Sequence, residues 1–105
     1  MFHVVLNRSG PRWDPARKLE EQWMWNEHAE FMDGLVDDGF IVLGGPLEDE
    51  ARVVHAFEAT SKEEVLATLA GDPWYETMLH VESIESWTIR LDGRSLDSSF
   101  DGGDL

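Results

Sequence analysis

Four histidines, His3, His28, His55 and His80, are the side chains here best suited to move a proton near neutral pH. Their spacing fits no metal-ligand motif, so a zinc or iron site would have to be assembled from separate strands. No cysteine is present, which excludes thiolate nucleophiles, thiolate metal sites and disulfides. Phosphate loops, dinucleotide fingerprints, nucleophile elbows and metalloprotease helix motifs are absent too. His28 stands within Asn26-Glu27-His28-Ala29-Glu30. It reads either as a polar residue on a helix flank or as a general acid–base. Asp72 stands in Gly71-Asp72-Pro73-Trp74. It reads either as a cap before a proline or as a carboxylate that holds a histidine in one tautomer.

Five tryptophans are many for this length, and packing explains most of them. Trp25 lies three residues before His28, on a neighbouring helix position, and Trp74 lies two after Asp72. Both are candidates to line a pocket for a flat apolar ligand. Gly44-Gly45-Pro46 reads first as a turn, and glycine there also lets a ligand approach the backbone closely.

The elements that must position these residues follow from local signals. Phe2 to Asn7 is a β-type run ended by Ser9-Gly10-Pro11. Asp14-Pro15 reads as a helix cap and first turn, opening a long helix from Ala16 to about Asp38 that Gly39 stops. Phe40 to Leu43 is a compact strand broken by the Gly-Gly-Pro turn, and Arg52 to Glu58 is the returning strand. Ser61-Lys62-Glu63-Glu64 is a capping box that starts a second helix, which runs to about Ala70. Val81 to Leu91 is the last strand.

The order strand, helix, strand, strand, helix, strand predicts an α+β fold of the ferredoxin-like βαββαβ type. Its antiparallel sheet carries both helices on one face. The uncovered face should then be polar, yet Val5, Val54, Ala56 and Ile84 or Trp87 put apolar side chains on both sides. A second copy covering that face, a homodimer, is the expected solution, with the tail or the long first helix as the alternative cover.

The chain has 105 residues, which sets one domain, read as residues 1–91 followed by an acidic, flexible tail over 92–105. Net charge is −14, from 22 acids against 8 bases, which repels phosphate backbones and anionic membrane surfaces. No apolar run approaches the roughly 18 residues needed to cross a bilayer, and the N-terminus lacks the basic start of a signal peptide. The expectation is a cytoplasmic protein that binds neither nucleic acid nor membrane.

In order and spacing, the stretch from His28 to Trp87 resembles the YCII-related (YciI-like) proteins. The shared features are the helix histidine His28, a Gly-Pro turn after the second strand at Gly45-Pro46, a returning strand and the Ser61 helix start. Asp72-Pro73 followed by an aromatic residue, and a last strand reaching Trp87, complete the series. With the first strand, the resemblance covers about residues 1–90. It implies a dimeric α/β barrel built from ferredoxin-like units, with His28 and Asp72 as a His–Asp pair in a cleft. It also implies acid–base chemistry without a cofactor, of isomerase or elimination type, on a small cyclic or aromatic metabolite. Trp25, Gly45, Pro46 and Trp74 would bind that substrate. Two alternatives stand beside it: a non-catalytic dimeric module that binds a small molecule or partner, and a metal- or haem-dependent oxygenase. One departure is plain. Relatives often carry an arginine shortly before the histidine, where this chain has Asn26 and Glu27. Arg17 is too far upstream to replace it.

Overall fold

The computed structural model describes residues 1–94; Asp97, Asp101 and Asp104 of the expected tail lie outside the described residues. The elements are β1 (Phe2–Asn7), α1 (Trp25–Asp37), β2 (Ile41–Pro46), β3 (Arg52–Phe57), α2 (Lys62–Leu69) and β4 (His80–Ser86). The four strands form one antiparallel sheet in the order β2-β3-β1-β4. This α+β arrangement is compatible with a ferredoxin-like fold. Val4 and Phe57 are fully buried on one side of the sheet, and Leu35 of α1 and Val65 and Leu69 of α2 join them in a single core. The helices therefore bury their apolar stripes against one face.

Local chemistry explains the helix ends. Gly39, at φ 84°, closes α1 in a left-handed turn in which its N–H donates to Val36 O at 3.1 Å. Phe40 N–H donates to Leu35 O at 2.9 Å, completing the double carbonyl cap that glycine favours. Ser61 Oγ accepts from Glu64 N–H at 3.1 Å, and the Glu64 carboxylate reaches back to Thr60 N–H at 2.9 Å.

Three expectations need correction. The first α-helix begins at Trp25, not Ala16, and only a single 3-10 turn at Leu19–Glu21 precedes it. Asp14 does not open a helix; its carboxylate accepts from Ala16 N–H at 2.9 Å in a local turn. Buried Gln22 then ties the segment into a loop, donating to Asp14 O at 2.7 Å and accepting from Asp14 N–H at 3.1 Å. Such side-chain bonds compete with the helical ladder. Gly44-Gly45-Pro46 is strand, not turn, and pairs with His55, Val54 and Val53. Pro46 is tolerated because β2 is an edge strand. The last strand ends at Ser86, not Leu91, because its pairing with β1 ends at Phe2 and Ser86; Trp87 N–H still reaches Met1 O at 2.8 Å.

On the uncovered face, Leu43 is 58% and Trp87 42% exposed, while Ala56 is buried. Part of the cover is the chain itself. Trp87, Ile89 and Leu91, beyond β4, enclose a hollow with Val42, Leu43 and Ala56.

Candidate functional site

The turn after α2 carries the carboxylate. Asp72 Oδ1 accepts from Trp74 N–H at 3.1 Å, and Asp72 O accepts from Tyr75 N–H at 3.0 Å. The residue is therefore held by its own turn before it meets anything else. Trp74 is buried, and its indole N–H donates to Trp23 O at 2.5 Å. Trp13 meets it edge-on at 6.0 Å. The loop before α1 is in turn docked onto this turn through Gly10 N–H to Met78 O at 3.2 Å and Arg12 N–H to Thr77 O at 2.8 Å. A side chain at Gly10 would collide with the Thr77 carbonyl.

Against this platform α1 presents His28. Its ring lies flat on Trp74, with centroids 3.8 Å apart and planes 5° from parallel. Nδ1 sits across both Asp72 oxygens, at 2.8 and 2.9 Å. An ionised carboxylate only accepts, so Nδ1 is the donor, and in the neutral ring Nε2 is then the nitrogen with the lone pair. Asp72 caps no helix, since only turns follow it before β4; its carboxylate organises its own turn and also meets the imidazole. His28 and Asp72 are only 8% and 6% exposed.

A cavity of about 190 Å³ opens beside the pair. His28, Trp74, Gly44 and Gly45 line it, together with His55 and Arg8. His55 is buried, and burial, reinforced by His28 and opposed by Asp72, lowers its pKa to about 4. Its Nδ1 lies against Gly44, where any Cβ would overlap it. Among the described residues this Nδ1 is the one buried side-chain polar atom without a hydrogen-bond partner.

The structure thus brings together four of the six expected site residues: His28, Asp72, Trp74 and Gly45. Trp25 stands behind them, 6.0 Å from the His28 ring and 5.8 Å from Trp74, and does not line the cavity. Pro46 lines a different hollow, with Leu43, Val54 and Trp87. His55 and Arg8 were not singled out from the sequence. The signal for His55 was present: it falls between Val53 and Phe57 on the apolar side of its strand. Arg8 had no such signal; it reaches the cavity because its N–H pairs with Ala51 O at 2.8 Å, which sets it beside β3. The two other histidines lie elsewhere. His3 packs edge-on against Trp87 at 5.4 Å, and exposed His80 meets Glu76 at 3.1 Å.

Among the described residues, no group of three or more His, Asp or Glu side chains is placed to hold a metal ion. No helix of the described chain is long and apolar enough to cross a membrane. No family model matches the chain, and no curated protein or solved structure does either.

Proposed function

We propose that this protein is a small enzyme that uses His28 as a general acid–base, oriented by Asp72, on a small cyclic or aromatic metabolite. The observation that carries the reading is the His28 Nδ1–Asp72 hydrogen bond of 2.8 Å, formed on the wall of a cavity. That bond commits one ring nitrogen and leaves Nε2 as a base toward the cavity. Asp72 stabilises the imidazolium formed when His28 takes a proton. Trp74 supplies a flat apolar wall. The chemistry is proton transfer, as isomerisation or elimination, and the pair itself requires no cofactor for it. The features shared with the YCII-related proteins support the same assignment.

His28→Ala abolishes turnover on this reading while the chain stays folded, as judged by circular dichroism and thermal unfolding. A folded His28→Ala protein with full activity would end the proposal.

A non-catalytic reading draws on the exposed apolar side of the sheet, where Leu43, Val54 and Trp87 border a hollow. We propose that a second copy covers this side, giving a homodimer of the α/β-barrel type. Sedimentation equilibrium decides it: a monomer at all concentrations removes the homodimer. Ligand binding without turnover would favour a binding module over an enzyme.

A further inference from the structure

His55 is the buried polar group that the His28–Asp72 pair does not use. Both imidazoles line the same cavity. His55 Nδ1 is sealed against Gly44 and has no partner. A proton there would bury an unpaired donor, which folded proteins avoid more strictly than an unpaired acceptor. The neutral ring therefore carries its proton on Nε2, the nitrogen that is not sealed. The low pKa keeps the ring uncharged at neutral pH. His28, whose Nδ1 donates to Asp72, presents the opposite polarity in its neutral form, a lone pair on Nε2. One cavity thus holds a base and, separately, a neutral hydrogen-bond donor. A neutral imidazole is suited to polarise a carbonyl without first giving up its proton.

Arg8 adds a charge. Its Nη1 donates to Glu50 O at 2.7 Å, and its guanidinium carbon lies 5.5 Å from the Trp13 ring centre. Its remaining N–H groups bond no described side chain. It is the cationic side chain on the cavity wall, in a chain of net charge −14. A fixed guanidinium fork suits a carboxylate.

Resting on the acid–base reading of His28, we propose that His55 is a second catalytic residue and that the substrate is a small carbonyl compound bearing a carboxylate. Arg8 binds the carboxylate. His28 Nε2 removes a proton from the carbon next to the carbonyl. The C–H electron pair becomes the C=C bond of an enolate, and the carbonyl π pair moves to oxygen. His55 Nε2–H donates to that oxyanion. His28 then returns its proton to carbon, and the C=O bond re-forms, so no oxidant or other reactant is consumed.

The test uses the full chain. Long-range proton–nitrogen NMR of the imidazoles at neutral pH should show His55 neutral with its proton on Nε2, and His28 with its proton on Nδ1. The chain is then given levulinate in D2O, with cyclopentanone as the uncharged comparator, and exchange of the protons next to the ketone is followed. The parent accelerates levulinate exchange. His55→Leu slows it by about 100-fold or more, the loss typical of one oxyanion donor. His55→Gln, which keeps a neutral N–H, recovers part of the rate. Arg8→Leu raises the levulinate KM about tenfold and leaves cyclopentanone unaffected. Thermal unfolding confirms that each variant is folded.

A charged His55, a proton on its Nδ1, or a folded His55→Leu that exchanges levulinate like the parent overturns the His55 role and leaves the His28 reading standing. Levulinate that shifts the His55 signals without exchanging supports the donor and overturns the base. Neither shift nor exchange overturns the substrate class.

Discussion

The two sides of the sheet use the same strands and the same alternation, yet only one, among the described residues, buries histidine and carboxylate side chains. On the covered side Val4 and Phe57 are fully buried under α1 and α2, and His28, His55 and Asp72 are buried too, the two histidines on a cavity wall. On the other side Leu43 is 58% exposed, and the nearest histidine, His3, packs at the surface against Trp87. Burial is what makes a histidine specific. In water an imidazole meets any partner; under a helix it must find one, as His28 does in Asp72, or stay neutral, as His55 does. The covered side therefore holds most of the buried apolar contacts and constrains its imidazoles, while the open side leaves apolar side chains exposed.

The contrast can be broken in order of size. Phe57→Ala removes a fully buried ring from the centre of the core. Urea unfolding should record a loss of about 3–5 kcal/mol. A loss below about 1 kcal/mol would mean that the covered side is not close-packed.

The next effect is set by pH. Unfolded, His55 titrates near 6.5; folded, near 4, because burial penalises its charged form. His28 and Asp72 act on it through space with opposite signs. Between those values the unfolded chain binds more protons, so this group's contribution falls as pH drops from about 6.5 to about 4 and is level below. The loss is about 3 kcal/mol. His55→Leu should remove that part of the slope. Parallel stability–pH curves for parent and variant would show that the ring is not buried as described.

Gly44→Ala tests the contact that seals His55, since the added Cβ overlaps Nδ1. It should cost roughly 1–3 kcal/mol and move the His55 NMR signals more than those of His28. Equal shifts would show that the two imidazoles move as one.

The smallest effect belongs to the open side. Leu43→Lys should change monomer stability by no more than about 0.5 kcal/mol. A larger, concentration-dependent loss would instead make that side an interface, and the comparison between the two sides would change meaning.

The elements of the fold were legible wherever a signal acts within a few residues. Ser61 caps α2, Gly39 ends α1, and alternation marks the strands. The long first helix was misread because Asp14 and Gln22 bond to each other across the loop, eight residues apart. No helical period encodes such a bond. Gly44-Gly45-Pro46 was misread as a turn because turn chemistry and a bulged edge strand use the same residues.

The sequence by itself determined which residues can do chemistry and which local turns hold them, because residue type, caps and short periods are properties of neighbouring residues. His28 and Asp72 were visible in that way, each with two readings. Only the tertiary structure decided that these residues, 44 positions apart, share a hydrogen bond. It alone set His55 beside them, and it placed Arg8 rather than Pro46 on the cavity wall. Such placements depend on how two helices settle on one face of a sheet, and that is fixed by the burial of the whole core rather than by any segment.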